Sequence, residues 1–171
     1  EYLKEISNYT GWKYEYVPVT LEHGLEMLAS GEVDLLAPVP ATPELQKRFD
    51  YSEREVGLYY SVLCVAVENM KTAINDFSAI DGMKVGVLPK DLPNSGLEAY
   101  SQKNGFHVET VVLENQAILL KALHDGKIDG ILTNSLEKRP TERVIARFNP
   151  VPYYFITAKD RPDIMTPLNA A

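Results

Sequence analysis

Apolar positions recur along the chain with two periods, and the switching between them lays out the elements. Tyr2, Leu3, Ile6 and Tyr9 fall at helical spacing and Gly11 ends the pattern, which predicts an opening helix. Trp12, Tyr14 and Tyr16 then alternate with polar residues, the period of a strand running to Val17 and stopped by Pro18. Thr20 offers a cap for a helix with Leu21, Leu25 and Leu28 on its buried stripe. Gly31 closes it, and Val33 to Ala37 reads as a short buried strand. Helix, strand, helix, strand in that order predicts parallel pairing in an α/β layer.

Pro38 and Pro40 impose an irregular backbone at the carboxyl end of that strand. Thr42-Pro43-Glu44 starts a helix with a hydroxyl cap, a proline at the first position and an acid in the first turn. Ligands of open α/β sheets bind at such carboxyl-end turns. Val56 to Val67 is the most strand-like run, apolar on both faces and long enough to pass between lobes; Glu68 to Asp81 reads as polar loop. A second α/β unit follows: strand Met83 to Leu88, loop Pro89 to Pro93, helix from about Asn94 to Lys103, stop at Gly105, strand Phe106 to Leu113. Asn115 caps a helix carrying Ile118, Leu119, Ala122 and Leu123, Gly126 stops it, and Ile128 to Thr133 is the next strand. Arg143 to Phe148 and Tyr153 to Ala158 are expected as two strands returning to the first lobe, before a last helix capped by Asp160 with Pro162 in its first turn.

One pattern occurs twice. Leu28 to Leu36 and Leu123 to Ile131 both read Leu-x-x-Gly, a charged residue, Val or Ile, Asp, then an apolar run. Each is a helix's last turn, a glycine stop and a strand starting at the aspartate. The repetition predicts two α/β lobes on one plan with a ligand site between them. The expected division is residues 1–65 and 150–171 for the first lobe and 66–149 for the second, hinged near 59–68 and 146–153.

Composition narrows the classes. Seventeen basic residues against twenty-four acidic give a net charge of -7, which disfavours nucleic acid and an anionic membrane surface. Cys64 is the only cysteine, so neither an intrachain disulfide nor a thiolate metal site is available, and a buried strand position makes it a small hydrophobe. No run of eighteen apolar residues occurs. A chain opening on Glu1 directly in a helix is expected to be an excised domain, with a signal or anchor lying outside it. No nucleophile elbow, Walker loop or dinucleotide fingerprint appears, and no cofactor is expected. His23, His107 and His124 are scattered, and His23 with Glu26 supplies too few ligands for a metal. Asp34 and Asp129, set alike after the two glycines, are read as bonding nearby backbone amides rather than as a catalytic pair. Lys47, Arg48, Asp50, Glu53, Arg54 and Glu55 form a solvated mixed-charge patch from which Arg54 reaches the cleft; Tyr59 and Tyr60 sit near the hinge, where a ring stacks on a ligand or packs in the core.

These residues in this order resemble the bacterial extracellular solute-binding proteins of family 3. The resemblance is carried by the Gly-x-Val-Asp strand, Thr42-Pro43-Glu44 with Lys47 and Asp50-Tyr51-Ser52, Gly82-x-Lys84-Val85-Gly86-Val87, and Leu123 to Asp129. It implies a two-lobed α/β fold of the type 2 periplasmic-binding kind, each lobe a small mixed sheet flanked by helices, with the first strand of lobe 1 expected before Glu1. Tyr2 to Ile6, Tyr9-Thr10-Gly11-Trp12, and Ala146-Arg147-Phe148 followed by Tyr153-Tyr154-Phe155 are similar to a sensor subset attached to diguanylate cyclases or histidine kinases. This implies an extracytoplasmic, non-enzymatic sensing domain of a membrane-anchored signalling protein that closes over a small molecule, with homodimerisation a further expectation.

Departures from the family pattern shape the ligand expectation. The arginine expected for a ligand carboxylate is Leu45, the upstream serine or threonine is Pro40, the ammonium-holding aspartate falls on Asn134, and a Gly-Thr-Thr loop is replaced around Lys90-Asp91-Leu92. Two charge-assisted hydrogen bonds lost at about 1.5–3 kcal/mol each amount to roughly two to four decades in affinity. A free α-amino acid in the ordinary pose is therefore not expected. The ligand-contacting residues implied are Pro38, Val39, Pro40, Leu45 and Arg54 from the first lobe, and Lys90, Asp91, Asn94, Ser95 and Asn134 from the second, with Asn94 and Ser95 presenting helix-start amides. Two alternatives stand beside this: a cyclohexadienyl or prephenate dehydratase on the same fold, with Asp91 and Lys90 as its acid–base hint, or a degenerate lobe pair that binds a protein partner.

Overall fold

The computed structural model describes residues 2–91 and 95–171. They form two compact units, one of residues 1–58 and 151–171, the other of residues 59–150. Strand neighbours follow the path β1-β7-β3-β6-β4-β5, with β2 beside β7. The long strands β3 (Gly57–Ala66) and β7 (Glu142–Ala158) carry the chain from one unit to the other.

In the first unit, α1 (Tyr2–Thr10) ends at Gly11, and α2 (Leu21–Ser30) begins where the Thr20 hydroxyl accepts the His23 amide. Gly31, at φ 80°, turns the chain out of α2 through the left-handed region that a Cβ makes costly. β1 (Leu36–Pro40) and β2 (Phe49–Tyr51) both pair antiparallel with the end of β7, and α3 (Pro43–Arg48) joins them. Leu28, Val39, Phe49 and Ile156 make the core of this layer, and α7 (Pro162–Ala170) adds Leu168 to a second cluster with Ile6 and Phe155.

Five expectations change here. Trp12 to Val17 forms no strand among the described residues; Trp12 and Tyr14 instead pack beside Ile6, Leu35 and Phe155, so the alternation serves a side-chain cluster and not a ladder. β1 begins at Leu36 rather than Val33 and runs through both prolines, because Val33 and Leu35 are drawn into separate clusters before pairing starts. Its pairing is antiparallel, since its partner β7 arrives from the far end of the chain. That partner is one strand and not two: it passes through Pro150 and Pro152 with Asn149 at φ 51°. Asp160, also at positive φ, does not cap α7; its amide donates to Asp50 Oδ2 at 3.0 Å, and Arg161 holds the cap position without a side-chain bond.

In the second unit, β4 (Lys84–Val87) lies between β5 (Glu109–Val112) and β6 (Gly130–Asn134), parallel to both, and β3 pairs antiparallel with β6. The apolar run of β3 divides by period two: Leu63 and Val65 join one core with Val87, Leu97, Leu132 and Phe148, while Val62 and Cys64 join another with Leu119 and Ile131. α6 (Gln116–His124) starts where the Asn115 side chain accepts the Ile118 amide, and Gly126 follows at φ 67°. The two echoed segments thus end in strands of different units, β1 and β6.

Five local readings are corrected. α4 (Phe77–Ile80), capped by Asp76, interrupts the segment read as loop. α5 (Leu97–Asn104) starts three residues later than expected, with Gly96 at its cap, and β5 starts at Glu109 because Phe106 and Val108 are buried in the core beside α5. Asp129 does bond a backbone amide, but that of Lys84, 45 residues upstream, at 2.8 Å; its own amide donates to the Lys84 carbonyl. Asp34 bonds the Arg161 guanidinium at 3.2 Å instead of an amide.

Candidate functional site

The richest polar grouping in the second unit stands at the carboxyl ends of β4 and β6. The parallel register of these strands brings the residues after Val87 and after Leu132 to one edge, and Ser61 pairs with Asn134 so that Tyr59 and Tyr60 reach the same edge from β3. Lys90 Nζ is 3.9 Å from Glu137 Oε1. Asp91 is half-buried, and its carboxyl holds its proton more tightly than usual: burial raises the pKa, Lys90 lowers it and Glu137 raises it. Burial also raises the Tyr59 phenol, with Glu137 adding to the effect. The Arg147 guanidinium lies 5.0 Å from the centre of the Tyr60 ring. Asn134 shapes this edge, its Oδ1 accepting the amides of Leu136 and Glu137 at 3.0 Å, while Ser135 Oγ accepts the Tyr60 amide. An ammonium, two carboxyls, a phenol and a stacked cation thus meet at one edge of the sheet.

The matching end of the first unit is poorer in polar groups. Val39 is fully buried in the core, where the strand alternation points it inward, and Leu45 on α3 is partly buried and packs against the same cluster. Pro38 is exposed and Pro40 is half-buried, its carbonyl accepting the Tyr51 hydroxyl at 3.0 Å. Arg54 is exposed, and its carbonyl accepts Ser52 Oγ. In the charged patch Asp50 pairs with Lys159 at 2.7 Å, which lowers its pKa, and Arg48 lies over the Phe49 ring.

Ser95 is buried ahead of α5, its Oγ accepting the Leu97 amide at 3.2 Å. Asn94 lies outside the described residues. Glu137 and Tyr51 were not singled out from sequence. Glu137 sits in an ordinary charged turn that carries no signal, whereas Tyr51 lies within the Asp50-Tyr51-Ser52 motif. Burial pushes the Cys64 thiol up to about 12, which leaves it without nucleophilic character near neutral pH. Among the described residues no three His, Cys, Asp or Glu side chains are grouped to hold a metal ion, and no helix is long and apolar enough to cross a membrane.

The family model of the bacterial extracellular solute-binding proteins, family 3, matches residues 1–93. The chain belongs to this family. Among solved structures it is similar to the probable amino-acid ABC transporter extracellular-binding protein ytmK of Bacillus subtilis, with TM-score 0.75, 16% identity, and coverage of 99% of this chain and 77% of that one. Substrate binding domain 2 of Lactococcus lactis GlnP gives TM-score 0.71 at 14% identity over 98% and 74% of the two chains. The periplasmic VFT2 domain of Bordetella pertussis BvgS gives 0.64 at 17% over 98% and 73%. Comparison with curated proteins gives no match. At these identities the structural likeness establishes the fold, that of the two-lobed, mixed α/β solute-binding domains.

Proposed function

We propose that this family 3 member is an extracytoplasmic sensing domain, tethered to a membrane through segments outside residues 1–171, that takes a small molecule with groups from both units and signals by closing on it. The ligand is not a free α-amino acid held in the ordinary way. The observation that carries this reading is the convergence of Lys90, Asp91, Asn134, Glu137 and Tyr59 at the carboxyl ends of β4 and β6. A ligand shifts such a domain toward closure only by as much as it prefers the closed form. The likeness to BvgS VFT2 supports a sensor; the likeness to transporter domains supports solute binding in general. Residues 59–68 and 146–153 serve as the hinge in this reading.

A thermal-shift screen across amino acids, amines, peptides, sugars and organic acids tests it. A ligand at a hundred times its Kd stabilises by about 2.7 kcal/mol, which for a chain of this length is roughly 5–11 °C in Tm. Hits among compounds without an α-carboxylate are expected. A shift of that size with ordinary α-amino acids sinks the ligand reading. No shift with any compound, together with concentration-dependent dimerisation, favours the partner-binding alternative, and turnover of prephenate or arogenate favours the enzyme.

A further inference from the structure

We propose that Gly96 and Asn149 form a lock between the start of α5 and the point where β7 leaves the second unit: the bare Gly96 backbone seats the Asn149 side chain and holds its left-handed turn. The inference deepens the solute-binding reading above, on which the lock's use in signalling rests, by naming how the edge that carries Lys90 and Asp91 acts on the crossover strand.

Asn149 stands at φ 51° inside β7, with Pro150 next. The left-handed region is disfavoured for residues that carry a Cβ, asparagine tolerating it better than most. Such a residue stays there only where its surroundings hold it. Pro150 disfavours the right-handed helical alternative for the residue before it, which leaves Asn149 two states, left-handed or extended. The groups that choose between them are on α5. Gly96 is its cap, at φ 69°, and a Cβ built there would meet Asn149 Cβ at 3.1 Å and Cγ at 3.2 Å. One turn on, the Tyr100 ring stacks on Phe148 at 4.3 Å and 11°. Successive residues of β7 are thus held by Gly96 and Tyr100, which share a helix face. Gly105 closes the other end of α5 at φ 70°, and a Cβ there meets nothing within 4 Å, so the close approach belongs to one end of the helix.

The lock reaches the candidate site through the core. Leu97, the first residue of α5, is buried in one cluster with Val87, the last residue of β4, and with Phe148. From Val87 the chain runs on to Lys90 and Asp91. A displacement of that end of β4 is therefore felt at Asn149. A change of state at Asn149 in turn alters the course of β7 at Pro150, after which the chain belongs to the first unit.

Amide hydrogen exchange followed by NMR in the whole 171-residue chain tests the lock. Val56 reports beyond the crossover, where its amide donates to the Tyr153 carbonyl; Tyr100 reports on α5, donating to the Gly96 carbonyl; Asp129, donating to the Lys84 carbonyl, reports any general loss of stability. Gly96→Ala pushes a methyl group against Asn149 and is expected to speed Val56 roughly fivefold or more relative to Asp129. Gly105→Ala carries the same backbone strain without the contact and is expected to leave that ratio at the wild-type value. With Asn149→Gly also present, the Gly96→Ala methyl group has no side chain to push, and Val56 is expected to exchange as in Asn149→Gly alone. Asn149→Gly by itself is expected to speed Tyr100 relative to Asp129, since coupling runs both ways. A Val56 ratio unmoved in a folded Gly96→Ala, or raised equally by Gly105→Ala, overturns the proposal. So does a folded Asn149→Gly with Tyr100 at wild-type exchange, an outcome that decides the matter should Gly96→Ala fail to fold. The expected exchange pattern alongside a ligand screen without hits keeps the lock and removes the solute-binding reading; hits with the Val56 ratio unmoved do the reverse.

Discussion

Gly130 opens β6, and the absence of its side chain sets the spacing between β6 and β3. A Cβ built there meets the Cys64 backbone carbonyl oxygen at 2.8 Å. That oxygen belongs to the central strand β3, paired at Cys64–Ile131, and has no torsion by which to retreat. Gly86 in β4 is the natural control. A Cβ there meets Ile128 Cδ1 at 2.5 Å and Leu119 Cδ1 at 2.6 Å, which are closer, but both are side-chain ends that rotate. Overpacking costs about 1–3 kcal/mol, and Gly→Ala regains roughly 0.4–1 kcal/mol through the unfolded chain. Gly130→Ala is expected toward the upper end, a net loss of about 1–2 kcal/mol and roughly 2–8 °C in Tm; Gly86→Ala is expected near neutral, within about 1 kcal/mol. Urea titrations followed by far-ultraviolet circular dichroism compare the two at a common slope. Because β6 carries Asn134 and pairs with the strand carrying Tyr60, any ligand hit from the screen is expected to weaken in Gly130→Ala and persist in Gly86→Ala. Equal stabilities, or a larger loss at Gly86, refute the reasoning that an immovable carbonyl outweighs two movable methyl groups.

Asp91 titrates at 3.8 when unfolded and higher when folded, so the unfolded chain releases its proton first as pH rises and the folded state loses ground through that window. Asp91→Asn is expected to raise Tm at pH 7, with the gain vanishing below pH 3.8; a pH series of melting curves checks the sign, and a loss at pH 7 refutes it. Cys64, buried and with its thiol at about 12, is expected to resist iodoacetamide at pH 8 in native buffer and to react fully in denaturant; mass spectrometry counts the adducts. Arg143 donates through Nη2 to the carbonyls of both Asn69 and Thr72, pinning residues 69–72 against β7. Arg143→Ala leaves these acceptors unsatisfied and is expected to cost about 2–4 kcal/mol in urea unfolding, with proteolysis concentrated in residues 67–76; a cost under about 0.5 kcal/mol would show that the clasp is not needed.

Helix limits were the most legible part of the chain, because caps and stops act within a few residues. Thr20, Thr42 and Asn115 each receive the amide their spacing promised, and Gly31 and Gly126 each take positive φ. The carboxyl-edge location of Lys90, Asp91 and Asn134 was also readable, since each follows a recognisable strand. Partnerships across long separations were not. Trp12 to Val17 has the period of a strand, yet whether a ladder exists depends on a second segment that periodicity does not name.

The sequence by itself determined that these residues form an α/β chain, where α2, α3 and α6 begin, and that Leu45 and Asn134 carry no charge. Tertiary structure decided the direction of β1 against β7, the burial of Val39, the meeting of Glu137 with Lys90, and the bond by which Tyr51 fills the Pro40 carbonyl. The division has a physical cause: capping, glycine turns and period are settled within one turn or one strand, whereas pairing direction and buried electrostatics depend on which distant segment arrives alongside.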